Sequence, residues 1–189
     1  MKSPIRCKWV SHHELFIPYH DNEWGVPLHD DRMLFEMLNL EGAQSGLSWL
    51  TILKKRENYR QAFDNFDAGK IVKYGARKRA ELLQNEGIVR NKLKIDAVIE
   101  NAKAFLEIQP EFGSFDRYIW QFVGGKPLRG GAQPGSSTES DAMSKELKKR
   151  GFKFVGTTVC YAFMQAVGMI NDHEPECYKA KKLNKNQGK

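Results

Sequence analysis

The chain has 189 residues, a length that suits one domain or two lobes sharing a groove rather than two independent cores. Its hydrophobic fraction of 41% and aromatic fraction of 11% suit a packed protein, and the absence of any run of about 18 apolar residues excludes a membrane-spanning helix. A net charge of +7 favours a polyanionic partner, nucleic acid above all, with a merely basic soluble enzyme as the alternative.

The first residues, MKSPIRCKWVSHHEL, lack the apolar core of a signal peptide, so a cytoplasmic protein is expected. Cysteines stand at 7, 160 and 177, an odd number that argues against a disulfide framework. Cys160, in TTVCYAFMQAVG, reads as a small buried hydrophobe. The segment CKWVSHHELFIPYHDNEWG crowds Trp9, Phe16, Tyr19 and Trp24 together with little clean periodicity. Core packing is one account of such aromatics. A wall for a flat ligand such as a nucleobase is the other, each base–aromatic stack contributing about 1–3 kcal/mol.

Helical periodicity dominates the rest of the chain, and no alternation of period two stands out, so the protein reads as all-α. Asp30 or Asp31 can cap a helix with Leu34, Phe35, Met37 and Leu38 on one side. LEGAQSGLSWL then places a lone carboxylate, Glu41, ahead of an apolar and small-residue run; Arg32 is the one basic residue within about ten positions. It is either a helix-end surface residue or a pocket group that holds a substrate. Ser48 can cap a helix carrying Trp49, Ile52, Leu53, Tyr59, Ala62 and Phe63.

Residues 77–95, RKRAELLQNEGIVRNKLKI, read as a helix ending near Asn85 or Glu86, a turn at Gly87, an inward Ile88 and a new helix near Asn91. This is the shape of a helix-hairpin-helix element. Outward hairpin amides and the second helix's N-terminus can seat a phosphate, with Arg90, Lys92 and Lys94 adding charge. Such contacts position DNA without reading its sequence. An ordinary αα-hairpin is the alternative.

The next helix carries the stripe Ile95, Val98, Ile99, Ala102, Phe105 and Leu106. Ser114 can cap a short aromatic helix, in whose first turn Asp116 reads as a dipole-favoured residue. GGKPLRGGAQPGSST, residues 124–138, is a long loop or joint. Ser140 is expected to cap the helix SDAMSKELKKR, with Gly151 ending it, and a helix from Thr157 closes at Gly168. The lysine-rich residues 179–189 are expected to form a disordered tail.

Cys7 and His20 near one end, with His173 and Cys177 near the other, make a Cys2His2 set of the kind zinc takes in a closed structural site. Such a site would staple the termini. The spacing is not that of a zinc finger, and His12, His13 and His29 are competing ligands. Two surface histidines and two ordinary thiols are the alternative.

YHDNEWGVP (19–27), LEGAQSGLSW (40–49), LKKRENYR (53–60), LKKRGFKFVGTT (147–158) and NDH (171–173) together closely resemble the bacterial 3-methyladenine DNA glycosylase I family, within the helix-hairpin-helix superfamily. The resemblance runs to about residue 177 and implies one glycosylase domain over residues 1–178, with an all-α, two-lobed fold and a DNA groove. It implies excision of 3-methyladenine from alkylated double-stranded DNA, and a structural zinc on Cys7, His20, His173 and Cys177. The carboxylate matching Glu41 hydrogen-bonds the flipped base in that family, and aromatics matching Trp49 and Tyr19 pack against it. Phe16 stands where some members carry Tyr, which removes a hydroxyl but keeps the ring.

An extruded N3-methyladenine is cationic, so a carboxylate and an aromatic face would select it over neutral adenine. Trp9, Phe16 and Trp24 complete the expected base-binding wall, and Gly46 and Leu47 are candidates for a wedge that fills the vacated gap. A monomer is expected. The competing readings are a non-catalytic DNA-binding module using the hairpin alone, and a small-molecule hydrolase with Glu41 as general base, which leaves the hairpin without a purpose.

Overall fold

The computed structural model describes residues 4–130 and 135–180. The aromatic N-terminal segment is more regular than its sequence reads: a 3-10 turn over Lys8–His12 leads into α1 (Phe16–Asn22). Seven residues are too few to display a periodicity, yet Phe16, Tyr19 and His20 fall at helical i, i+3, i+4 spacing, and the last two are buried. Asp30 then caps α2 (Asp31–Gln44) by accepting from Met33 N, while Asp31 accepts from the amides of Phe115 and Asp116. Ser48 caps α3 (Trp49–Ala62), as its spacing predicts.

Two short helices, α4 (Ala68–Ile71) and α5 (Ala76–Gln84), lead to the hairpin and the long α6 (Lys92–Phe112), which Asn91 caps. Ser114 caps α7 (Phe115–Trp120). The cap of α8 (Thr138–Lys149) is Ser137 rather than Ser140. Ser140 sits at the third helical position and its hydroxyl bonds back to Ser137 N, a reciprocal capping box that a Ser-Ser-Thr run leaves ambiguous in sequence. α9 (Thr157–Ala166) follows, and Gly168 closes it in a left-handed conformation.

The all-α expectation needs one amendment. β1 (Leu128–Arg129) and β2 (Ile170–Asn171) pair in parallel, with Leu128 opposite Ile170. Two residues cannot display an alternation, so no pattern marks the pair in sequence. The ladder ties the start of the 124–138 loop to the segment that carries His173. Residues 131–134 of that loop, and residues 181–189 of the expected tail, lie outside the described residues.

α2 is the element around which the others assemble. It packs against α3, α6, α7 and α9, and every residue from Leu34 to Ala43 is buried. Phe35 meets Phe66 and Phe105, and Phe105 meets Phe115, at ring separations of 4.9–6.3 Å. Each fully buried ring of this kind contributes about 1.5–3 kcal/mol through burial alone. No helix among the described residues is long and apolar enough to cross a membrane.

Candidate functional site

Burying a whole helix buries its polar residues too, and α2 carries three of them: Glu36, Asn39 and Glu41. Two are satisfied. Glu36 accepts from Arg56 and Arg60 at 2.8 Å each, and Arg56 also pairs with Glu23. Asn39 accepts from Asn101 at 2.8 Å and donates to Phe35 O. Asn101 in turn holds Lys153 N at 2.7 Å, which fixes the GFKFVGTT turn between α8 and α9. Glu41 is different. It is 4% exposed, has no hydrogen bond or ion pair among the described residues, and burial pushes its carboxyl up to about 8. An unpaired carboxylate in such a place costs several kcal/mol when ionised.

Glu41 opens onto a cavity of about 630 Å³. The N-terminal aromatics form one wall of it, with Trp9, Phe16, Tyr19 and Trp24 all at its lining. Trp9 is the hub: its ring stands edge-on to Phe16 at 5.4 Å and to Trp24 at 5.2 Å, and lies 6.3 Å from Tyr19. Trp49, at the head of α3, packs on Tyr19 at 5.4 Å. Its indole Nε1 is buried without a partner. The cavity is thus lined by an unpaired carboxyl and by a tryptophan whose own N–H is buried without a partner.

The opposite wall was not legible in sequence. Tyr161, Ala162 and Gln165 of α9 line the cavity, with His12, Gln44 and Gly135. Tyr161 and Gln165 both donate to Asp172 Oδ2, at 2.8 and 2.7 Å. Polar residues at i and i+4 inside an apolar helix were the available signal.

The four candidate metal ligands converge. Cys7, His20, His173 and Cys177 are buried, and their ligating atoms all lie within 4.8 Å of one another. Cys7 Sγ is 3.5 Å from His173 Nδ1, and Cys177 Sγ is 3.4 Å from His20 Nε2 and 3.7 Å from His173 Nδ1. A tetrahedral zinc with bonds of about 2.3 Å to sulfur and 2.0 Å to nitrogen sets sulfur and nitrogen about 3.5 Å apart. The residues fit such an ion. His20 also bonds Asp21 through Nδ1 at 2.8 Å, and Arg6 holds Asp21 at 2.7 Å. That carboxylate behind the imidazole directs Nε2 into the cluster. Burial lowers His173 to about 4, so its ring is neutral and free to ligate at physiological pH. His12, His13 and His29 lie outside the cluster.

The hairpin joins α5 to α6 as its sequence reads, with Ile88 buried, but its amides are largely engaged. Gly87 N donates to Asn85 Oδ1, Ile88 N to Asn85 O and Val89 N to Tyr59 OH. Gly87 is not left-handed; a Cβ there would lie 2.9 Å from Asn58 Cβ, so close packing explains it. The expectation of outward hairpin amides narrows to Arg90 and, in the first turn of α6, Lys92 and Leu93, whose amides have no partner among the described residues. Arg90 and Lys92 are exposed, Arg90 with an ion pair to Glu86. Lys94 departs from its expected place: its ammonium donates to Ala43 O and Ser45 O. Gly46, with φ of 77°, and Leu47, 42% exposed, form the turn between α2 and α3 beside the cavity. Asp116 pairs with His29 and is not at the cavity lining.

The family model for methyladenine glycosylase matches residues 9–180. The chain belongs to the methyladenine glycosylase family. It is 51% identical over 177 residues to DNA-3-methyladenine glycosylase 1 of Escherichia coli (strain K12), covering 91% of this chain and 95% of that one. A crystal structure of a 3-methyladenine DNA glycosylase I superposes with a TM-score of 0.89 at 53% identity, covering 92% of this chain and 98% of the other. A variant of another 3-methyladenine DNA glycosylase I, solved in complex with 3-methyladenine, superposes with a TM-score of 0.88 at 34% identity and covers 92% and 96%. The methyladenine glycosylase fold thus extends over nearly all of the described chain.

Proposed function

We propose that this methyladenine glycosylase extrudes 3-methyladenine from double-stranded DNA and hydrolyses its N-glycosidic bond. The observation that carries the reading is the one unpaired carboxylate of α2, Glu41, set in an aromatic cavity that Trp49 also lines. The family match and the relatives' names supply the substrate.

N3-methyladenine in DNA is a cation. With Glu41 raised to about 8, its carboxyl is mostly neutral at physiological pH. An entering cation draws out the ionised form, which accepts a hydrogen bond from the exocyclic amine. Neutral adenine offers no charge to offset the cost of ionising Glu41, so it is bound less well. Tyr19 and Trp49, packed on each other, flank the flat base, and Trp9, Phe16 and Trp24 brace them. Water adds at C1′ as the C1′–N9 bond breaks. The bonding pair goes to N9, the base leaves neutral, and the water's proton passes to solvent. The leaving group needs no protonation, so binding and extrusion carry most of the catalytic demand.

In this reading Leu47 and Gly46 enter the gap left by the extruded base, and Arg90, Lys92 and the first-turn amides of α6 meet the phosphate backbone, Gly87 shaping the turn behind them. Zinc, held by Cys7, His20, His173 and Cys177, would have a structural role, since four protein ligands leave no position for water. A monomer of one domain over residues 1–178, working on chromosomal DNA in the cytoplasm, completes the proposal. The test is base release from methylated duplex DNA, resolved by chromatography, for wild type and Glu41→Gln. Release by wild type and a sharp fall in the variant are expected. Salt-sensitive DNA binding without any release would favour the non-catalytic module.

A further inference from the structure

Lys94 stands in the first turn of α6, three residues past the N-cap Asn91, where a lysine beside a hairpin invites a phosphate contact. Its side chain runs the other way. The ammonium sits 2.8 Å from Ala43 O and 2.7 Å from Ser45 O, the last carbonyls of α2 and its C-cap. Helix C-termini leave such carbonyls unpaired and carry partial negative charge, so a cation there closes the helix end. Lys94 is only partly exposed, and burial lowers its pKa, as befits an ammonium directed at carbonyls rather than at solvent.

The held segment is short and consequential. Ser45 N donates to Gly42 O and Leu47 N to Gln44 O, at 3.2 and 2.7 Å. Gly46 between them is left-handed. Glu41 lies one helical turn before Ser45. Glu41 and Gln44 line both the main cavity and an adjoining depression of about 350 Å³, which Ser45, Gly46 and Leu47 also border. Lys94 is thus the one side chain of the hairpin region whose hydrogen bonds cross to this turn among the described residues.

We propose that Lys94 is a positioning residue for base extrusion: it couples the hairpin to the Ser45–Leu47 turn and so aims Leu47 at the gap. This rests on the base-flipping reading above. It also predicts that Lys94 is not a phosphate contact, although it lies among residues that are.

The experiment compares single-turnover excision from two substrates. One holds 3-methyladenine opposite thymine; the other holds it opposite an abasic site, where no pair must be opened. The variants are Lys94→Met, Lys94→Gln and Leu47→Ala, each normalised to the folded, active fraction. Lys94→Met is expected to lose roughly 10- to 100-fold on the paired substrate, the scale of a misplacement of about 1 Å, and little on the unpaired one. Lys94→Gln, which keeps an N–H donor group without the charge, should fall between. The salt slope of DNA binding should be unchanged in both.

Equal losses on the two substrates would make Lys94 a mere fold residue and overturn the inference. So would a salt slope reduced by about one with uniformly weaker binding, the mark of a lost phosphate contact. Leu47→Ala is read separately: if it shows no selective loss on the paired substrate, the wedge reading fails whatever Lys94 does.

Discussion

Replacing Glu41 by Gln should make the protein more stable as it makes it less active, and the gain should grow with pH. In the folded chain the Glu41 carboxyl is held at about 8 against 4.5 for a free glutamic acid. Between those values the native state keeps a proton that the unfolded chain has released. Wild-type stability therefore falls with rising pH across that window by about 1.4 kcal/mol per unit. Gln mimics the protonated acid and has nothing to ionise. Over the full window the difference reaches roughly 5 kcal/mol in favour of the variant, an upper bound because water in the cavity solvates the carboxylate. Other titrating groups are shared and cancel in the difference. The assay is urea unfolding of both proteins at a series of pH values from about 5 to about 9, with metal content held constant. The two stability curves should meet near the acid end and separate steadily toward the alkaline end. Curves that stay parallel would refute the reasoning, because Glu41 would then be ionised at no cost and could not discriminate by charge.

The same proton is expected to govern excision. For wild type, kcat/KM on the methylated duplex should rise with pH and level off near about 8, whereas Glu41→Gln should give a flat profile; a flat wild-type profile would separate Glu41 from the rate. Purified protein should contain one zinc per chain by elemental analysis, and chelation should lower the melting temperature, with Cys177→Ser reproducing the loss. Gly130→Ala should destabilise by about 1–3 kcal/mol in urea titrations, since a Cβ there would lie 1.9 Å from Asp172 Oδ1. Asp172→Asn should raise KM for the lesion-bearing duplex, because it disturbs the acceptor that both Tyr161 and Gln165 use at the cavity wall.

Residue chemistry was legible where a side chain's type is itself unusual for its setting. A carboxylate with no local basic neighbour, four sulfur and imidazole ligands, and a knot of tryptophans all announced themselves, and the fold brings them to one cavity and one cluster. Helix starts were legible where a single Ser offered itself, as at Ser48 and Ser114, and at the paired Asp30 and Asp31 to within one residue. Sequence reading failed where several candidates competed or where partners lay far along the chain. Ser137 won over Ser140 within one serine-rich run. Lys94 looked like its basic neighbours until its acceptors, about fifty residues earlier, were in place. The two-residue ladder left no pattern at all, and the α9 wall was hidden because Tyr161 and Gln165 acquire meaning only through Asp172.

The meeting of the two ends of the described chain has a consequence for how the molecule comes into being. Cys7 and His20 wait for His173 and Cys177, Lys8 N waits for Glu174, and Ile5 O waits for Tyr178 N. During synthesis the N-terminal segment leaves the ribosome roughly 8–30 s before its partners do. Through that interval Trp9, Phe16 and Tyr19 can pack on one another, on Trp24 and on Trp49, but the lining that Tyr161, Ala162 and Gln165 supply is still missing. The nascent chain therefore completes its cavity and its four-residue cluster only when the last elements of the described chain are made. A chain cut short of His173 and Cys177 lacks two of the four candidate metal ligands, so it should keep the hairpin's contacts to DNA yet release no base.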